Sequence, residues 1–272
     1  MPELPEAESI ANALRRAITG RTIKAIEIFF PRLRTPLTPL AGAMLEGRKF
    51  TGVRRRARYA VCDLDDGRSI VMHFGMSGVV RVEKESPRRK HEHLFIHLDD
   101  GKTIKFEDPR RFGMVEVQEA GADGWPKGLA GIGVEPLSRQ FTGKMLHSHA
   151  LRRHGPVKNF LMDNSVVTGI GNIYVAEILF STGISPLRPA NRLSAEESEA
   201  IVKSAKAILK QAIRMSGTTI SDYRNVDGSE GKFAQRLKIY GKAGRPCPRC
   251  GTTLQCTMLG GRSSVYCPHC QI

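Results

Sequence analysis

The chain has 272 residues, 40% apolar and 25% charged, which suits one large domain or two small ones with a buried core. Its 42 Lys and Arg against 27 Asp and Glu give a formal charge of +15, and that points to a polyanionic partner, nucleic acid before an anionic membrane surface. No run approaches the roughly 18 apolar residues of a membrane span, and MPELPEAESI carries two glutamates in its first six residues and no apolar stretch. Neither a transmembrane segment nor a signal peptide is expected, and the location expected is the cytoplasm, near the nucleoid. After Pro5, Ile10, Leu14 and Ile18 fall at intervals of four with Gly20 beyond them, which predicts an amphipathic helix over Glu6 to Ile18. The chain to about Val117 then reads as strands: Thr22 to Phe30, Arg68 to Phe74, Leu94 to Leu98, and Ile104 to Phe106. Asp66-Gly67 and Asp100-Gly101 stand between such runs as hairpin turns.

From Glu119 the chain holds several glycines and Pro126 without periodicity, and residues 119–136 are expected to be a linker. Helices are expected beyond it over Ser138 to Leu151, Pro156 to Met162 and Gly171 to Phe180. The clearest begins at Ser194, where Glu197 completes a capping box, and runs through Ile201, Ala205, Ile208 and Ala212 to Gly217. The segment 161–177 joins two helices through Gly169 and Gly171, so the second starts near Asn172 with unpaired N–H groups, an arrangement that suits a phosphate.

The last segment, residues 232–272, has seven Lys or Arg and no acidic residue. Cys247-x-x-Cys250 and Cys267-x-x-Cys270, sixteen residues apart, form the pattern of a four-thiolate zinc site. With four protein ligands such an ion has no open position, so it stabilises the fold and performs no chemistry. Gly260-Gly261-Arg262 reads as a hairpin tip between the knuckles, offering an arginine to phosphate or to a minor groove. Cys62 and Cys256 read as ordinary small residues, and nothing demands more than a monomer.

Five spaced stretches, MPELPE, HFGMSG at 73–78, DPRRFG at 108–113, GIGNIYVAEILF at 169–180 and the zinc segment, resemble the formamidopyrimidine-DNA glycosylase (8-oxoguanine DNA glycosylase) family in order and across the whole chain. The resemblance implies an α+β fold: an N-terminal β-sandwich with a leading helix over 1–118, a helix-two-turn-helix domain over 137–231, and a zinc finger over 232–272. It implies base excision from damaged double-stranded DNA followed by strand cleavage, with one structural zinc ion and no organic cofactor. The matching nucleophile is Pro2, exposed once Met1 is removed, and Glu3 is its acid-base partner. An α-amine titrates near 8, against about 10.4 for lysine, so a reactive fraction exists at neutral pH.

Met76, Arg110 and Phe112 match the family's intercalating set, which fills the gap left by an extruded base. Asn172 and Arg262 match the residues that hold the flanking phosphates, and Arg262 is also carried over as catalytic. His73 and Lys158 match supporting DNA contacts, and Glu177 is a further match at the DNA site. Where the family carries lysine in a sequence like RRAKY, this chain has Arg55-Arg56-Ala57-Arg58-Tyr59. Arg58 is carried over as catalytic with Pro2, Glu3 and Arg262, although it keeps a charge that can clamp phosphate but cannot exchange a proton as lysine does. The polar segment Thr218 to Gly231 matches the family's cap over the extruded base, and Lys232 after it stands where an aromatic is common. Two other readings fit the same residues less well: a sister enzyme acting on oxidised pyrimidines, and a non-catalytic damaged-DNA-binding protein.

Overall fold

The computed structural model describes residues 2–41, 43–84, 86–220 and 223–272, so Met1, and Ser221 and Asp222 of the expected cap segment, lie outside the described residues. Two compact units are formed, Met1–Ala130 with Met215–Ala234, and Gly131–Arg214 with Gln235–Ile272. Residues 215–234 therefore pack with the N-terminal unit, where a reading by consecutive segments puts most of them in the helical domain.

The first unit opens with α1 (Leu4–Ile18), which buries Ile10, Leu14 and Ile18 as its four-residue spacing requires. Two antiparallel sheets follow. One has the order β1 (Ile23–Ile28), β6 (Glu92–Leu98), β7 (Lys102–Glu107), β5 (Val79–Lys84). The other has the order β2 (Phe50–Arg56), β3 (Tyr59–Leu64), β4 (Arg68–His73), β8 (Met114–Glu119). A short α2 (Thr38–Ala41) lies between β1 and β2 in the chain. The inner strands β4 and β6 are buried almost throughout, while edge strand β1 is only partly buried beyond Ile23. Both expected Asp-Gly turns join paired strands, β3 to β4 and β6 to β7. Side chains of α1 and both sheets share one core with Tyr223 and Val226 from the returning segment.

The second unit holds α3 (Gly143–Ala150), α4 (Val157–Leu161), α5 (Asn172–Thr182) and α6 (Ala195–Arg214). The first starts later than Ser138 because Thr142 caps it, its hydroxyl accepting from Met145 N at 3.2 Å. The capping box at Ser194 forms as its spacing requires: Ser194 N donates to Glu197 at 2.8 Å and Glu197 N to the Ser194 hydroxyl at 3.1 Å. Helix α5 is buried from Tyr174 to Phe180, and Gly183 ends it in the left-handed conformation. The tail adds the hairpin β9 (Gln255–Leu259) and β10 (Arg262–Tyr266), turned by Gly260 and Gly261, both at positive φ. Among the described residues no helix is long and apolar enough to cross a membrane.

Candidate active site and nucleic-acid interface

Pro2 is buried at the start of α1, and Glu3, also buried, is the helix N-cap. Glu6 reaches back so that Glu3 N donates to its Oε2 at 2.9 Å, while its Oε1 accepts from Thr218 N at 2.6 Å. One carboxyl thus ties the N-terminal turn to the returning segment. That approach is close: a Cβ at Gly217, where φ is +80°, would lie 2.8 Å from Glu6 Oε1, and one at Gly231 would lie 2.4 Å from the Gly217 carbonyl oxygen. Beside it Tyr223 donates its hydroxyl to Asn225 at 2.5 Å, and burial, with the negative charge of Glu6 adding to it, raises its pKa. Sequence reasoning missed Glu6 and Tyr223; the Glu-x-x-Glu spacing was the available signal for the first.

Arg58 is buried in the two-residue turn between β2 and β3, after Ala57 at φ +54°. His73, at the end of β4, is 9% exposed, and its ring lies tilted against Tyr59 with centroids 4.8 Å apart. Burial, with the positive charges of Arg34 and Arg58, lowers its pKa to about 4. The ring is therefore neutral at physiological pH, and because its Nδ1 accepts from Gly75 N at 3.1 Å, its proton sits on Nε2.

The two loops expected to carry wedges are fastened to each other. Gly75, at φ +55°, lies so near the Phe112 backbone that a Cβ there would stand 2.5 Å from the Phe112 carbonyl carbon. Buried Asp108 accepts from the Ser77 hydroxyl at 2.7 Å and from Gly113 N at 2.7 Å, knitting HFGMSG to DPRRFG. These bonds leave Met76 at 42% and Phe112 at 49% exposure, with the exposed Arg110 guanidinium 4.9 Å from the Phe112 ring. Asp108 is a loop organiser that sequence reasoning did not single out, although it opens the DPRRFG motif.

In the second unit Arg262 is exposed at the first residue of β10, and Asn172 at the start of α5 donates to the Ser263 carbonyl at 3.2 Å. Two of the expected DNA contacts are buried and bonded within the protein. Lys158 is 1% exposed and its ammonium donates to Ser263 O at 2.9 Å and Ser264 Oγ at 2.6 Å, so it supports the hairpin. Glu177 is 5% exposed and accepts from the backbone N–H groups of Lys238, Ile239 and Tyr240, each at 2.9 Å. A buried carboxylate so satisfied orders the chain entering the zinc module and offers nothing to an anionic backbone.

The four cysteines Cys247, Cys250, Cys267 and Cys270 bring their sulfurs within 4.8 Å of one another, with Cys250 and Cys267 at 3.5 Å and Cys247 and Cys270 at 4.0 Å. Tetrahedral zinc with bonds of about 2.3 Å needs sulfurs about 3.8 Å apart, so the set fits one ion. Cys256 is exposed outside this cluster and Cys62 is buried in the sandwich core.

A sandwich unit presenting interlocked apolar and cationic loops, and a helical unit ending in a four-thiolate ribbon with an arginine at its tip, define a DNA-binding protein of the zinc-finger class. Sequence models described as the formamidopyrimidine-DNA glycosylase N-terminal domain, its H2TH domain, and the zinc finger found in FPG and IleRS match residues 1–115, 132–224 and 244–272. The chain belongs to the formamidopyrimidine-DNA glycosylase family. Proteins of that name from Stenotrophomonas maltophilia and Alcanivorax borkumensis are 44% and 43% identical to it, over the full length of both chains in each comparison. The crystal structure of MutM (FPG) from Thermus thermophilus superposes with a TM-score of 0.88 at 34% identity, covering 99% of this chain and 98% of that one. A glycine-to-proline mutant of Lactococcus lactis FPG, in complex with Fapy-dG-containing DNA, gives 0.89 at 32% identity with 99% of each chain covered.

Proposed function

We propose that this chain excises oxidised purines such as 8-oxoguanine and formamidopyrimidines from duplex DNA in the cytoplasm and then cleaves the strand, acting as a bifunctional glycosylase and abasic-site lyase. The observation that carries the reading is the N-terminal turn, where Pro2 stands beside buried Glu3 on a turn fixed by Glu6. Relatives bound to Fapy-dG DNA and to carbocyclic 8-oxo-G DNA support the lesion class.

With Met1 removed, the Pro2 nitrogen attacks C1′ and the base departs with the electrons of its glycosidic bond. Glu3 delivers a proton to O4′, the sugar ring opens, and the nitrogen is left as an iminium. That cation acidifies the 2′ carbon: loss of its proton expels the 3′ phosphate, and a second proton loss expels the 5′ phosphate. Water then hydrolyses the iminium and frees the amine. Met76 and Phe112 fill the vacated stack and Arg110 pairs with the orphaned base. Arg58, neutral His73, Asn172 and Arg262 bind the flanking phosphates, and Arg262 also assists the eliminations. Lys158 acts as a positioning residue for the hairpin that carries Arg262, and Glu177 for the chain that enters the zinc module. The zinc ion holds that hairpin in shape.

Borohydride should trap a covalent adduct with duplex containing 8-oxoguanine opposite cytosine, and acetylation of the terminal amine should abolish both trapping and cutting. Normal cutting by the acetylated protein would overturn the role of Pro2. Faster cleavage of dihydrouracil or thymine glycol duplexes would move the chain to the pyrimidine group.

A further inference from the structure

One guanidinium ties helix α1 to the two-residue turn between β2 and β3. Arg55, near the end of β2, has its side chain 9% exposed, and its Nε donates to Glu8 Oε2 on α1 at 2.6 Å. Its Nη1 donates to the Ala57 carbonyl oxygen at 3.0 Å. The planar fork of arginine serves both acceptors from different nitrogens, where a lysine ammonium would have one nitrogen for both.

The Ala57 carbonyl and the Arg58 N–H belong to one rigid peptide unit, so fixing that oxygen fixes the direction in which the chain enters Arg58. The turn calls for such a hold, because Ala57 has φ +54°, left-handed backbone that a residue with a Cβ rarely adopts. Just beyond the turn, Tyr59 pairs with His73 across β3 and β4, and burial, Arg34 and the Arg58 charge together keep the His73 ring neutral. At the other end of the tie, Glu8 stands on the helix whose N-cap is Glu3 and which Pro2 immediately precedes.

We infer that Glu8 and Arg55 are a positioning pair for the proposed reaction, holding the turn that bears Arg58 at a fixed place relative to the helix that bears Pro2; this rests on the phosphate-binding role proposed for Arg58. An ion pair that only fastened β2 to α1 would need the Glu8 contact alone. The bond to Ala57 carries the tie on to the peptide that leads into Arg58. A phosphate clamp set against the nucleophile in this way places C1′ for attack, and small displacements of a positioned sugar slow the chemical step.

The test uses full-length, zinc-loaded protein and a double-mutant cycle of Arg55→Lys and Arg58→Gln. Single-turnover cutting of 8-oxoguanine duplex is measured at saturating protein, beside urea unfolding of each variant. Arg55→Lys keeps a cation beside Glu8 and should unfold close to the parent, yet cut about tenfold more slowly. In the Arg58→Gln background the same change should slow cutting no further, since the group it places is gone. Parental cutting by Arg55→Lys, or an equal slowing in both backgrounds, would overturn the pairing. If Arg55→Lys does not fold, Glu8→Ala, at a half-buried helix position, is read through the same cycle. A second readout needs no DNA: the His73 imidazole titration, followed by NMR in the free protein, should shift in Arg58→Gln and also in Arg55→Lys. A His73 midpoint that moves in Arg58→Gln but stays at the parental value in Arg55→Lys would show that Arg55 does not place Arg58. Parental cutting by Arg58→Gln would instead remove the phosphate role proposed for that residue, and the His73 titration reads the hold of Arg55 on the turn separately from it.

Discussion

Glu6 is the side chain on which two distant stretches of backbone converge, Glu3 N and Thr218 N, 212 residues from it in the second case. Glu6→Ala leaves both donors without this acceptor inside the protein, and one unsatisfied buried group costs about 1–3 kcal/mol. The variant is expected to lose about 2–4 kcal/mol of unfolding free energy in urea titration and to cut lesion DNA more slowly, because the turn bearing Pro2 is no longer fixed. His73 sets a pH dependence. Its folded pKa, about 4, lies below the ordinary histidine value, so between these values the unfolded chain takes up a proton that the native ring refuses. The stability this contributes is complete above about pH 6.5 and is lost as pH falls toward 4. Urea titrations at neutral and acidic pH should show His73→Gln losing less stability on acidification than the parent; equal losses would refute the burial account. Pro2, Glu3 and the proposed wedge residues stand out in the sequence through their motifs, and Arg58 through its departure from one. The Thr218 bond was not, since nothing in local periodicity joins residues so far apart.

Elements differ in how plainly their residues announce them. Helix α1 and helix α6 follow four-residue spacing and cap signals, and the zinc hairpin follows its cysteines and paired glycines. Strands β2, β3, β5 and β8 lay inside a region read as strand-like but were not resolved one by one. In β2 the register shifts between Phe50 and Gly52 and three arginines follow, which erases the alternation that marks a strand. The segment 215–234 carries no regular pattern, and its place is fixed by tertiary contacts. Gly217 and Gly67 separate these cases experimentally, because both have φ above +80° or at it, yet only Gly217 faces a neighbour, Glu6 at 2.8 Å. Gly67→Ala, at an open turn, should cost about 1 kcal/mol from backbone conformation alone. Gly217→Ala should cost about 2 kcal/mol or more and should also slow excision. Equal stability of the two variants in thermal or urea unfolding would show that the packing of Glu6 against Gly217 is not tight in solution.

At the scale of the whole molecule the charge of +15 foretold a polyanionic partner but not which cations meet it. Each phosphate neutralised on duplex DNA contributes about −0.9 to the slope of log affinity against log salt. Only a charge that reaches the phosphate counts. Arg262 is exposed and permanently charged, so Arg262→Ala should make the slope shallower by about one unit. His73 is neutral above about pH 4, so His73→Gln should lower affinity by a similar factor at every salt concentration and leave the slope unchanged. Chelating the zinc should flatten the slope at least as much as Arg262→Ala, since the four thiolates hold the hairpin on which that arginine stands. Fluorescence anisotropy with lesion duplex across a salt series reads all three. A His73→Gln slope as shallow as that of Arg262→Ala would mean that the imidazole binds DNA as a cation, and would remove the neutral-ring role from the phosphate site.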